Sequence, residues 1–322
     1  MNNHDTITEL KPSAISNNRT SAMLKSALGV HIQEYLKDDS IVEIMLDPNG
    51  HIWCERLGTG LFDTGNSLSQ DSAMRVIKLI ASATDQVCNE EKPSLQASLP
   101  ETGERFQAGI PPISYAPFFA IRKKALKVFT ISDYVDSKII SQEQASKIKD
   151  AVISRKNLLI VGGTSSGKTT LLNAVLNEMA KTKHRIITIE DTPELQCTAK
   201  SYVPLYVKYP LYTMQDAVKD TMRLNPERIV VGEIRDGSAL DLLKAWNTGH
   251  GGGIATVHAD SAIKGLSRLK SLLGEATANP DIELIADTID MVIFIMRTNE
   301  GIKVKEIIEV NGLDERGKYI IS

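Results

Sequence analysis

Gly162-Gly163-Thr164-Ser165-Ser166-Gly167-Lys168-Thr169 satisfies the spacing G-x-x-x-x-G-K-[ST]. It follows the apolar run Leu158–Val161 and precedes the helical run Leu171–Met179, the order such a loop requires. Glycines let the backbone fold back so that several N–H groups point inward, and the start of a helix adds partial positive charge. The segment therefore predicts a cradle for phosphate oxygens, with Gly162 through Thr170 as the nucleotide-binding residues. Lys168 is placed to reach the β and γ phosphates of ATP, and the Thr169 hydroxyl to take a position on Mg2+.

Binding alone is not hydrolysis, which needs one carboxylate to ready a water and another to hold the metal. Glu190 and Asp191 directly follow the apolar run Ile186–Ile189, and Glu233 follows Ile229–Val231. These positions are C-terminal strand ends, the edge of an open α/β sheet where ligands bind. Glu233 is the candidate base, Glu190 a second catalytic candidate, and Asp191 a candidate metal carboxylate beside Thr169; which acid holds Mg2+ is left open. The glycine-rich run Thr248–Ala259 carries Thr256 and His258, which share one face of a strand because they are two apart. His258 is either a hydrogen-bonded structural residue or a γ-phosphate sensor.

The elements that must position these groups fall into two kinds. Leu158–Val161, Ile186–Ile189, Ile229–Val231, Ile254–Val257 and Met291–Met296 are short, continuously apolar runs separated by helical stretches, the pattern of a sheet covered on both faces. The earlier chain is different. Met23–Leu36 and Asp71–Ala83 show helical spacing, Ile41–Leu46 and His51–Glu55 flank the turn Asp47-Pro48-Asn49-Gly50, and Pro93–Ile121 reads as interrupted strands. The expected organisation is a flexible tail over 1–22, an α+β domain over 23–130, a linker over 131–144 and an ATPase domain over 145–322.

Composition sets the outer bounds. With 322 residues, 42% hydrophobic and 24% charged, the chain can hold two cores. Cys54, Cys88 and Cys197 are scattered, which argues against both a zinc cluster and a disulfide framework and fits a reducing cytoplasm. Met1–Arg19 lacks an apolar core, so no signal peptide is expected, and no later run is long enough for a transmembrane segment. A net charge of −3 and a pI near 6.1 mark no nucleic-acid surface. The one local basic concentration, Arg122-Lys123-Lys124 with Lys127, reads as a solvated face.

Taken together and in this order, four blocks resemble the ATPases of type II and type IV secretion systems. Beside the phosphate loop, Ile189–Glu194 resembles their Asp box, Leu224–Arg235 their atypical Walker B, and Gly249–Ala259 their His box. Glu43–Pro48, Gly103–Phe106 and Ala120–Lys123 extend the likeness into the first domain, nearest to the conjugal-transfer members. The resemblance implies an α/β fold with a C-terminal RecA-like P-loop domain and a smaller α+β, PAS-like N-terminal domain. It also implies a ring-shaped homohexamer in the cytoplasm, peripheral to the inner membrane and working with inner-membrane secretion or conjugation channel proteins. ATP would sit between the two domains of a subunit, with Arg105 and Arg122 bringing positive charge to its γ-phosphate.

Direct nucleic-acid binding is not expected. A helicase-like or DNA-translocating ring, a type IV pilus or type II secretion motor, and a subunit that binds ATP without hydrolysing it remain as rivals. Two positions depart from the family pattern: Ser165 stands where the loop often has glycine and fits if its φ is negative, and Gly251 stands where the His box often has proline, which should loosen that loop.

Overall fold

Strands in the first third of the chain alternate between more and less buried positions, whereas Leu158–Gly162, Ile186–Glu190 and Arg228–Val231 are buried residue after residue. The computed structural model describes residues 12–56, 60–123 and 129–322. The chain divides into two compact units, Met1–Leu126 and Lys127–Ser322. No described helix is long and apolar enough to cross a membrane.

The first unit comprises α1 (Pro12–Lys37), β1 (Ile41–Leu46), β2 (His51–Arg56), β3 (Gly60–Ser67), α2 (Gln70–Ala83), β4 (Ser94–Ser98), β5 (Arg105–Gly109) and β6 (Phe118–Arg122). Its six strands form an antiparallel sheet in the order β3-β2-β1-β6-β5-β4. The two helices bury Leu24, Leu28, Ile32, Val76, Ile77 and Ile80 in one core with that sheet. The turn after β1 closes through Gly50, whose φ of +85° suits glycine, and through the Asn49 carboxamide, which accepts from the His51 amide. Helix α1 begins at Pro12, inside the segment expected to be a tail, while residues 1–11 lie outside the described residues. Gly29, at φ 73°, breaks it, and the Gln33 amide donates across the break to the carbonyls of Lys25 and Gly29. Lys123 was read as part of a solvated face; instead its ammonium donates to the carbonyls of Tyr35 and Asp38 at the end of α1. Lys124 and Lys127 lie outside the described residues.

The second unit begins with α3 (Ile131–Asp136), α4 (Gln142–Ile153), β7 (Leu158–Gly162), α5 (Lys168–Ala180), β8 (Ile186–Glu190) and β9 (Tyr202–Tyr206). It continues with α6 (Met214–Thr221), β10 (Arg228–Val231), α7 (Ala239–Asn247), β11 (Ile254–His258), α8 (Ala262–Ala276), α9 (Ile282–Thr288), β12 (Met291–Thr298), β13 (Gly301–Leu313) and β14 (Tyr319–Ile321). Segment 131–144, expected to be a linker, thus holds one helix and the start of another. Thr130 with Asp133 and Ser141 with Gln144 form capping boxes there, and Ile131, Tyr134 and Ile140 are buried.

Eight strands run in the order β14-β13-β12-β7-β11-β10-β8-β9, with β12 through β9 parallel and β13 and β14 antiparallel at one edge. Alternate residues of the central strands enter two cores: Leu159, Val161, Ile229 and Val257 join α6 to α9, and Leu158, Ile160, Val230 and Ile254 join α3 to α5. The fold is α/β with a RecA-like second unit.

At the N-terminal edge of this sheet the glycine loop before β11 is held on all sides. The Asn157 side-chain oxygen, Oδ1, accepts from the amides of Gly252 (2.7 Å) and Gly253 (3.0 Å). Arg228, fully buried, donates to the carbonyls of Gly252 and Val152 and to His184 Nδ1. Burial pushes its pKa down to about 10. Arg155 donates to the carbonyls of Gly251 and Glu227. The Gly251 carbonyl is thus one of the pinned groups. A Cβ at Gly253 would lie 2.2 Å from Trp246 Nε1 and 2.5 Å from the Ile229 carbonyl oxygen, whereas one at Gly251 meets nothing closer than 3.7 Å. Chemical denaturation should show Gly253→Ala destabilised by about 1–3 kcal/mol, the usual range for overpacking, and Gly251→Ala close to neutral. Equal effects at both positions would contradict this account of the loop.

Candidate functional site

Parallel pairing brings the C-terminal ends of β7, β11, β10 and β8 to one edge of the sheet, side by side in that order. Gly162 is the register partner of His258, and Val231 that of Ile189, so the residues just beyond these strands share one rim.

The loop from β7 into α5 is tightly specified. A Cβ on Gly162 would meet the Ile295 carbonyl oxygen at 2.3 Å and Ser166 Oγ at 2.5 Å, while Gly163 has open space where its Cβ would be. Gly167, at φ 93°, leads into α5, whose first turn carries no acidic side chain to compete with an anion for the helix N-terminus. Ser165 corrects the expectation of a negative φ: it stands at φ 54°, so the loop keeps its left-handed turn although serine is the residue there. Thr164 and Ser165 are exposed, and Thr169 and Thr170 are half-buried on the first turn of α5.

Two observations test whether a triphosphate fits. Ser166 Oγ is buried with no hydrogen-bond partner among the described residues, a donor left over inside the loop. Lys168, 8% exposed, curls its ammonium over its own loop and donates to the carbonyls of Gly162 (2.9 Å) and Gly163 (2.7 Å). The residues suit an anion with several oxygens. No group of three or more His, Cys, Asp or Glu able to hold a metal ion occurs among the described residues.

From Lys168 a continuous polar chain crosses the rim. Its ammonium lies 3.3 Å from His258 Nδ1, and His258 Nε2 lies 3.0 Å from Glu233 Oε1. An ammonium can only donate, so Nδ1 is the acceptor and the ring proton sits on Nε2, facing the carboxylate. Burial and the Lys168 charge lower the His258 pKa, in keeping with a neutral ring. Glu233 Oε2 accepts from Arg235 at 2.7 Å, and the same guanidinium donates to Asp191. The expected residues Lys168, His258 and Glu233 thus form one chain, and Arg235, which the sequence did not single out, joins Asp191 to it. Thr256, on the buried side of β11, donates to the Gly232 carbonyl at 2.7 Å and fixes the backbone just before Glu233.

Glu190 occupies a different environment. It is 3% exposed; Oε1 accepts from the amides of Glu194 (2.8 Å) and Leu195 (2.7 Å), and Oε2 has no partner among the described residues. The buried Asn173 of α5 accepts from the Gln196 amide and donates to the Glu194 carbonyl, so the loop after β8 is stapled to the helix that carries Lys168. Arg105 and Arg122 lie in the first unit as direct cross-strand partners on β5 and β6.

Burial raises the Glu190 pKa from 4.5 to about 7, outweighing the two amides that stabilise its ionised form. A carboxyl whose pKa is raised by folding is most favourable when protonated, so its contribution falls as pH rises from 4.5 towards 7. Glu190→Gln keeps an oxygen for both amides and does not titrate. Thermal unfolding across that range should show the variant gaining on the parent as pH increases, and a difference independent of pH would contradict the buried-carboxyl assignment.

A family model described as "Type II/IV secretion system protein" matches residues 20–306. The chain is 42% identical over 308 residues to "Probable conjugal transfer protein TrbB" of Sinorhizobium fredii, covering 95% of this chain and 94% of that one. It is 33% identical over 282 residues to "Type IV secretion system protein PtlH" of Bordetella pertussis, covering 76% and 81%. The X-ray structure of the Legionella pneumophila ATPase DotB matches with a TM-score of 0.63 at 19% identity over 97% of this chain and 84% of that one, a likeness of fold. With a family model running across most of its length and a 42%-identical relative matched almost end to end, the chain belongs to the type II/IV secretion system protein family.

Proposed function

We propose that this chain hydrolyses Mg-ATP to ADP and phosphate and drives a type IV secretion or conjugal-transfer machine. The observation that carries the reading is the unbroken polar chain from Lys168 through His258 to Glu233, which sets a phosphate-reaching cation and a carboxylate base on one rim. The printed names of the relatives, conjugal transfer and type IV secretion proteins, support the process served.

The loop Gly162–Thr170 receives the phosphates. Lys168 exchanges its two loop carbonyls for phosphate oxygens, and Ser166 Oγ gains a partner. Mg2+ would be held by the Thr169 hydroxyl, with Asp191 the candidate carboxylate, and would neutralise charge on the transferring phosphoryl group. Glu233 takes the proton from the attacking water, and His258 and Arg235 hold its two oxygens in place. Glu190, buried behind this rim, holds the Glu194–Leu195 backbone and stands as a second catalytic candidate. Arg105 and Arg122 are the first unit's candidates for the γ-phosphate, a role in which an arginine is worth on the order of 10³-fold in rate or more.

The working form in this reading is a homohexameric ring in the cytoplasm, at the inner-membrane periphery, engaged with channel proteins rather than nucleic acid. Single-stranded DNA should leave the rate unchanged, whereas a helicase-like ring would be stimulated by it and would bind it with steep salt dependence.

Phosphate-release and equilibrium-binding assays run side by side test the site. Lys168→Ala should abolish turnover. Glu233→Gln should bind ATP as the parent does while hydrolysis falls by roughly a hundred-fold or more. Undiminished turnover in either variant would overturn the assignment, and an active enzyme that light scattering shows to be strictly monomeric would overturn the ring.

A further inference from the structure

The Arg235 guanidinium bridges two loops that are far apart in sequence. One amino group donates to Glu233 Oε2 at 2.7 Å and the other to Asp191 Oδ2. Glu233 follows β10 and Asp191 follows β8, neighbouring parallel strands in register at Val231 and Ile189. One planar group therefore joins the acidic ends of two strands. Its fixed fork suits this, because two donors at a set spacing define where each carboxylate sits, whereas the three donors of an ammonium rotate freely.

Stability does not account for the arrangement. The Arg235 side chain is 54% exposed and Asp191 38% exposed, and ion pairs that open to solvent contribute little, commonly about 0–1 kcal/mol. Glu233, by contrast, is 17% exposed, and its other oxygen is already committed to His258. With both oxygens held, the carboxylate has one orientation, as a base that must meet a water at a set point requires.

We infer that Arg235 is a positioning residue for the reaction: it sets the Glu233 carboxylate and anchors itself on Asp191 to do so. This rests on Glu233 being the base. Arg235 need not touch nucleotide for the effect, so losing it should lower kcat and spare KM.

The test uses the full-length chain with Mg-ATP. Arg235→Gln is expected to lower kcat by roughly a hundred-fold, the scale of a misplaced catalytic group, with KM within about two-fold of the parent and thermal unfolding unchanged. Arg235→Lys should recover part of the loss. Parental kcat in Arg235→Gln, or a loss expressed in KM, would overturn the inference. Glu233→Gln keeps the two readings apart. If that variant still hydrolyses ATP, the base assignment itself fails; if it is inactive while Arg235→Gln is fully active, only the role of Arg235 fails.

Discussion

The register of β7 against β11 places Gly162 opposite His258, and the chemistry of the rim depends on that pairing. A one-residue slip of β11 would reverse the face of each of its side chains, turning Val257 out of its core and His258 away from Lys168. The register is strongly specified because both faces of these strands are buried. Residues of β7, β10 and β11 alternate between two separate hydrophobic clusters, so no shifted pairing satisfies both. The 3.3 Å approach of Lys168 to His258 is thus a consequence of apolar packing several residues away.

The opposite edge of the sheet serves the same end by polar means. Asn157 and Arg228 satisfy the backbone of the glycine loop that feeds β11, and Arg155 and Trp246 close it from the sides. Glycine is required at Gly253 because indole and backbone leave no room for a Cβ. Burying Arg228 with no carboxylate paired to it among the described residues is costly, and carbonyl oxygens of α4 and of the loop offset part of that cost by accepting its hydrogen bonds. Protonating His184 would set a second cation against the guanidinium, and burial together with Arg228 accordingly lowers the His184 pKa.

Much of this was legible in the order of residues, and what was not has physical causes. The central parallel strands stand out as apolar runs because burial on both faces leaves no polar position to break the pattern. Strand β9 carries Pro204 and lies at the sheet's edge, where a missing N–H is tolerated, so its sequence reads as loop. Strand β13 mixes Lys303, Lys305, Glu306 and Glu309 with half-buried aliphatics near the other edge, which hides it among charged surface. The phosphate loop, Glu233 and His258 are recognisable because each is local. Arg235 escaped although it stands two residues after Glu233, because its second partner comes from β8 and only the adjacency of β8 and β10 brings them together. The φ of Ser165 escaped for a related reason: residue type makes a left-handed conformation uncommon there without forbidding it.

The four-residue strand β10 shows how little backbone the arrangement requires. Arg228 at its start is fixed by carbonyls from α4 and the glycine loop, and beyond its end the Gly232 amide donates to Ile189 while the Gly232 carbonyl accepts from Thr256. Between these anchors Ile229, Val230 and Val231 are buried on alternating faces. A strand held at both ends and gripped on both faces cannot slide, so Glu233 leaves it at a defined height. The remaining freedom of that side chain is rotation about its own bonds, which hydrogen bonds from His258 and Arg235 remove. Apolar packing sets the height and polar contacts set the angle, and neither could substitute for the other: dispersion has no directional preference for a carboxylate, and exposed ion pairs are too weak to hold a strand.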